Sequence, residues 1–405
     1  MTINLNPINL LAVVLLVSFS CFTPAATKEN STAAPEATAA EAGLSFRDIP
    51  YLHKSFIDVA PVYRKDALVV GELGVDGGNK GMIVELAREI ANGDHGKFDS
   101  MLIAHKGKLL FESYYLRGRI NLPHPQASAT KAYTGLALGR AIQLGYLTMA
   151  DLDKPVVSFL KKLDPTNFVQ GAEQITLNQA LTMRGGLRIS EDKWKKLEEK
   201  PDALKGQGLV QALFEQSAPI TPASQKFAYG NFNPDLVMQV IEAVVPGTAD
   251  NFIKNELLNK LGITNYAWST NRNSGLPQAG SRASMTSRDM VKLGTLAMNK
   301  GKWNGEQLLP KAFITKAIDR IVDTSDEEFH YGGKDTFNQG YGYFWWSADM
   351  RHGDKSYFSS SAQGGYGQQI ILLKELDLQV VFTGHDNDTN YLQIVAERIL
   401  PAFVQ

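Results

Sequence analysis

A chain of 405 residues with 44% hydrophobic and 20% charged side chains is long enough to bury a sizeable core, in one large domain or two closely packed ones. Its formal net charge of -1 provides no field to gather nucleic acid or an anionic membrane surface, so no nucleic-acid partner is expected and a small-molecule or peptide-like one is. The seven histidines show no His-x-x-x-His spacing and no Cys-x-x-Cys occurs, which leaves no indication of a metal or other cofactor.

In chain order, the apolar run Ile8 to Phe22 followed by Thr23-Pro24-Ala25-Ala26 reads as an export signal over residues 1–26, although no Lys or Arg precedes it. The expected destination is the periplasm, the cell envelope or the exterior. The single cysteine, Cys21, is either part of a discarded peptide or the lipid-accepting residue of a membrane-attached form; Ser18-Phe19-Ser20 fits a lipid-attachment box only at Ser20. Residues 27–44, rich in Ala, Thr and Glu, carry too few large apolar side chains to order themselves and are expected to be a flexible tether. The folded body is then 45–405.

Within the body, Ser100 to Leu116 holds two apolar stretches around Lys106-Gly107-Lys108, a hairpin signal. Helical spacing follows over Ala132 to Leu147, Leu177 to Thr182, Gly206 to Gln216, Pro234 to Val244 and Ser287 to Lys300. Tyr341 to Trp346, Gln369 to Leu373 and Leu378 to Thr383 read as strands, and Asn390 to Val404 as a closing helix. The expected fold class is α+β: an antiparallel sheet lobe from about 45–125 and 275–405, flanked by helices, with a mostly helical lobe inserted over about 126–274. The cleft between the lobes is the expected place for chemistry.

The densest chemical signal is Ala127-Ser128-Ala129-Thr130-Lys131-Ala132-Tyr133, small residues leading into an apolar helix. A serine in the first turn has an unpaired N–H to offer an oxyanion and the favourable end of the helix dipole, and a lysine three residues on lies on the same face. Desolvation would lower the pKa of that lysine enough for it to act as a base. Ser-x-x-Lys alone is weak, and two further copies occur. Ser158 to Lys161 lies in an amphipathic stretch, and Ser190 to Lys193 reads as a helix cap. No Gly-x-Ser-x-Gly is present to support an α/β-hydrolase triad.

This segment resembles the serine–lysine motif of class C β-lactamases and their related carboxypeptidases, esterases and 6-aminohexanoate-oligomer hydrolases. Leu102 to Leu109, Ile175 to Leu187 and Thr286 to Gly294 are similar to further stretches of that family. The resemblance implies a β-lactamase/transpeptidase-like fold and an acyl enzyme on Ser128, with Lys131 and Tyr229 as proton carriers. It also implies that Asn231, of Tyr229-Gly230-Asn231, holds a substrate carbonyl or the lysine. Read without it, the same tripeptide is a loop tyrosine with Asn231 capping the next helix.

The chain departs from the family at the third motif, where Lys-Thr-Gly or His-x-Gly is replaced by Ala362-Gln363-Gly364-Gly365-Tyr366-Gly367. Glycines there allow a substrate to lie along a strand, and a backbone N–H near Gly365 or Tyr366 is the candidate second oxyanion donor. Gln363 offers no positive charge to a substrate carboxylate. The expected function is therefore an exported ester- or amide-cleaving serine hydrolase. The alternatives are a β-lactamase or D-Ala-D-Ala carboxypeptidase, or a noncatalytic penicillin-binding-like envelope protein; equally, the glycines can be a structural turn.

Overall fold

In the computed structural model, residues 33–327 and 331–404 are described. The export signal and Cys21 lie outside them. The strands of the main sheet are β1 (Phe98–His105), β2 (Lys108–Tyr114), β3 (Thr336–Tyr341), β4 (Trp346–His352), β5 (Lys355–Gly364), β6 (Gln368–Leu373) and β7 (Leu378–Gly384). They run in the order β2-β1-β7-β6-β5-β4-β3, all neighbours antiparallel, with short strands Phe56–Asp58 and Val322–Asp323 on the two flanks. The N-terminal hairpin thus enters the C-terminal strands by pairing β1 with β7, Val380 opposite Ile103.

Both faces of this sheet are covered, which is why β1 and β6 are buried along their whole length. The alternation of side chains sorts them into two cores. Leu102, Ala104, Ile370, Leu372 and Val381 face the helical lobe, in one cluster with Leu136 and Leu236. Met101, Ile103, Ile371, Leu373, Val380 and Phe382 face the other way, onto α1 (Lys80–Asn92) and the C-terminal segment. The helical lobe contributes α2 (Thr130–Gln143), α3 (Leu177–Leu181), α4 (Glu191–Glu198), α5 (Gly208–Gln216) and α6 (Phe232–Val244), and α7 (Ser287–Met298) follows it. Helix α2 is buried from Thr130 to Ile142, because the sheet and α6 pack against it from different sides.

Two expectations need correction and a third is refined. Tyr341 to Trp346 is not one strand but straddles the β3–β4 connection, where Gly342 N–H donates to Trp345 O and Phe344 has φ 64°. A Cβ on Gly342 would sit 2.2 Å from Ala317 O, so the aromatic run is interrupted where only glycine fits. The closing helix is continuous over 391–403, as expected, but not regular: Tyr391–Ile394 leads into a π-helical Val395–Ile399 and then Leu400–Phe403, with Pro401 unable to donate to an i−4 carbonyl.

The second correction concerns the tether. From Ala34 onward it is docked on the body: Ala34 is buried with Tyr114 and Ile120, Ile120 N–H donates to Pro35 O, and Asn121 exchanges hydrogen bonds with Ala37. Thr38 and Glu41 form a capping box around a one-turn helix, Ala39–Ala42, and Glu41 pairs with buried Arg119 at 2.9 Å. The segment is held by backbone hydrogen bonds and an ion pair, to which its apolar content gives no clue.

Candidate active site

Ser128 sits in a one-turn 3-10 segment, Ala127–Ala129, that feeds directly into α2. Ala127 carries φ 44°, a left-handed conformation that costs a non-glycine residue about 1–2 kcal/mol and is tolerated where the surroundings over-determine it. Those surroundings are specific. Thr130 Oγ1 donates to Ala127 O, Gln126 N–H donates to Ala283 O, and Tyr133 O–H donates to the Gln126 side chain at 2.6 Å. The turn is thereby fixed between α2 and the stretch 279–283 coming out of the helical lobe.

Lys131 is on the Ser128 face of α2, 1% exposed, with Nζ 3.1 Å from Ser128 Oγ and 2.9 Å from Gly280 O. Burial pulls its pKa down to about 8, and the charge of Asp235 on α6 partly opposes that fall. Tyr229 completes the group from the loop before α6. Its ring lies 4.8 Å from Lys131 Nζ and packs on Trp346 at 5.2 Å. Although the residue as a whole is 40% exposed, burial of its hydroxyl raises the pKa, against hydrogen bonding to Ser128 and Trp346.

The loop bearing Tyr229 is positioned by the turn after α3: Ala228 N–H donates to Met183 O, and Gly185 N–H donates to the Asn233 side chain. Asn231 does not line the Ser128 cavity. Its side-chain oxygen lies against Gly280, beside Lys131 Nζ, and it makes no side-chain capping bond to α6. It lies on the Gly280 side of Lys131.

The end of β5 forms the opposite wall. A Cβ on Gly364 would lie 2.2 Å from Gln126 O and 3.2 Å from Ala129 N, so this glycine lets the strand approach the serine turn at backbone distance. Gln363 and Gly365 line the same cavity, and Gln363 Nε2 donates to Ser361 Oγ. Tyr366 is the exception. It is 52% exposed and is not among the residues that line the cavity, and its N–H donates to Asn387 Oδ1 at 2.8 Å, so that N–H is already engaged and not available to an oxyanion in this arrangement. The cavity, about 570 Å³, is also lined by Trp346, Tyr331, Asn387 and Glu327, none of which has a sequence signal. Glu327 is the only charged side chain lining it among the described residues. The two rival serines are elsewhere engaged: Ser158 Oγ donates to Pro155 O, and Ser190 caps α4.

Comparison with known proteins identifies the family and the fold. The Beta-lactamase family profile matches residues 91–401. The chain belongs to the β-lactamase family. A curated relative, Protein flp of Staphylococcus aureus, is 26% identical over 183 residues; the match covers 43% of this chain and spans only 35% of that protein. Among solved structures, a protein assigned as a 6-aminohexanoate-dimer hydrolase from Bacillus anthracis superimposes with a TM-score of 0.59 at 19% identity, over 78% of this chain and 83% of that one. An octameric penicillin-binding protein homologue from Pyrococcus abyssi gives 0.58 at 17% identity, over 79% and 77%. Family membership and fold therefore stand together, and no helix among the described residues is long and apolar enough to cross a membrane.

Proposed function

We propose that this family member is an exported serine hydrolase that cleaves esters or amides lacking a recognition carboxylate, through an acyl enzyme on Ser128. Lys131 takes the Ser128 proton, with Tyr229 beside both; the serine oxygen attacks the carbonyl carbon, and the proton passes to the leaving oxygen or nitrogen as its bond to carbon breaks. Water then reverses the sequence and releases the acid. Ser128 N–H, in the first turn, and a backbone N–H at the end of β5 near Gly365 are the candidates to hold the oxyanion. The observation that carries this reading is the 3.1 Å contact between a partly accessible serine and a buried lysine whose amine is free base above about pH 8.

Substrate preference follows from charge. No Lys or Arg lines the Ser128 cavity among the described residues, and its one charged side chain, Glu327, is acidic. Arg351, a possible substitute for the missing cation, has its guanidinium 4.9 Å from the Phe337 ring, and neither it nor Arg282 lines the cavity. A substrate carboxylate there forgoes a charge-assisted contact of about 1.5–3 kcal/mol, roughly tenfold to a hundredfold in rate. The test compares kcat/KM for nitrocefin and for a short p-nitrophenyl ester. The ester is expected to be preferred, and a clear preference for nitrocefin overturns the assignment.

A further inference from the structure

A base that is buried faces a conflict. Lys131 must be neutral before it acts, yet during acylation it becomes an ammonium in a site with little water, and an uncompensated buried charge is expensive. Its two hydrogen-bond acceptors, Ser128 Oγ and Gly280 O, are both uncharged, and it makes no direct ion pair among the described residues. A carboxylate in contact would solve the second problem by creating the first, pinning the lysine as a cation.

A second cavity, about 470 Å³, lies on the Gly280 side of Lys131. Asn231, Asp235 and Gly280 line it together, with Glu198 of α4 and Arg272 also on its wall. Asn231 and Asp235 are one turn apart at the start of α6 and share a face, and the Asn231 side chain already touches Gly280. Asp235 is thus placed one turn along α6 from Asn231, on the wall of the same cavity as the lysine's carbonyl partner Gly280, and makes no ion pair with Lys131 among the described residues. We propose that Asp235 is a positioning residue for Lys131, the counter-charge that stabilises the ammonium formed when Lys131 takes the Ser128 proton, with the second cavity supplying the water between them.

The proton balance is simple. Ser128 loses its proton as its oxygen bonds to the acyl carbon, Lys131 gains it, and the leaving group receives it; Asp235 exchanges no proton in this sequence and, above about pH 7 where its carboxyl is ionised, faces the cation only while it exists. The remaining ionisable groups around Lys131 fit this. Tyr229 presents its ring at 4.8 Å, α2 and the 279–283 stretch present no acid, and Glu327 lines the other cavity on the substrate side. Burial raises the Asp235 carboxyl to about 7, and the Lys131 charge limits that rise.

This inference rests on Lys131 acting as the base. The experiment is a set of three kcat/KM profiles on a short p-nitrophenyl ester from pH 5 to 10, for the wild type, Asp235→Asn and Asp235→Glu. Removing the negative charge should lower the lysine pKa, so the acid limb of Asp235→Asn should move to lower pH by roughly half a unit to one unit while the plateau falls about tenfold. Asp235→Glu should recover most of both. A plateau that falls with the limb unmoved marks a merely structural residue and overturns the proposal, as does an unchanged profile. Fluorophosphonate labelling separates the two failures. If Ser128 is not labelled in the wild type, the reading of the site and this inference fall together, whereas intact labelling with an unmoved limb defeats the inference alone.

Discussion

Gly364→Ala perturbs the site without touching any ionisable group. The added Cβ would meet Gln126 O at 2.2 Å, where an ordinary Cβ contact is 3.4 Å or more, and Ala129 N and Gln368 Cβ, also too close, at 3.2 and 3.0 Å. The carbonyl cannot yield, because Gln126 is held by its own N–H to Ala283 and by Tyr133 through its side chain. The strand end must therefore withdraw by about 1 Å from the serine turn. A displacement of that size at a reacting centre is worth about a hundredfold in kcat/KM, or about 2.7 kcal/mol, with a further loss of about 1–3 kcal/mol of stability from overpacking. Gly365→Ala is the control for stability, since a Cβ there meets nothing within 4 Å of the protein. Ester hydrolysis and the rate of fluorophosphonate labelling, read beside Tm for both variants, decide the matter. Full activity in Gly364→Ala, or an equal loss of Tm in Gly365→Ala, refutes the close approach as the reason for this glycine.

Ser128→Ala should reduce ester turnover by at least about a thousandfold while Ser158→Ala and Ser190→Ala leave it unchanged, as measured by steady-state kinetics. The wild-type kcat/KM should rise about tenfold per pH unit below 8 and level off above it, because the free base of Lys131, its pKa lowered to about 8, is the active form; a flat profile from pH 6 to 9 contradicts this. Gln363→Lys should improve carboxylate-bearing substrates selectively, since Gln363 lines the Ser128 cavity, and equal effects on neutral esters would count against a recognition role. Glu41→Ala should lower stability by about 1–3 kcal/mol in denaturant melts without changing kcat, because it leaves buried Arg119 short of its carboxylate partner.

The readable parts of the sequence were those in which local chemistry and local structure coincide. Ser128 and Lys131 are three residues apart on one helix, and Ser287–Met298 begins with Thr286 as its cap, so period and capping suffice. Strand β5 was harder to see. Ser359, Ser360 and Ser361 look like loop residues, yet in the centre of the sheet Ser359 donates to Ala348 O and Ser360 to Ile318 O, which satisfies hydroxyls buried on both faces. Asp235, Trp346, Tyr331, Asn387 and Glu327 reach the two cavities from separate elements, and nothing in their neighbouring residues signals it. Tyr366 shows the converse: a motif position whose backbone N–H is claimed by Asn387, 21 residues away in sequence.

The docked segment beginning at Ala34 also sets a leash length. Were Cys21 to carry a lipid, the chain between it and the first residue held by the body would be about 12 residues, reaching no more than roughly 45 Å when fully drawn out. A tether free as far as Ser45 would reach roughly 80 Å by the same measure. The shorter leash would keep Ala34, and the body docked on it, nearer the bilayer, favouring substrates that partition to the membrane surface over those released far from it.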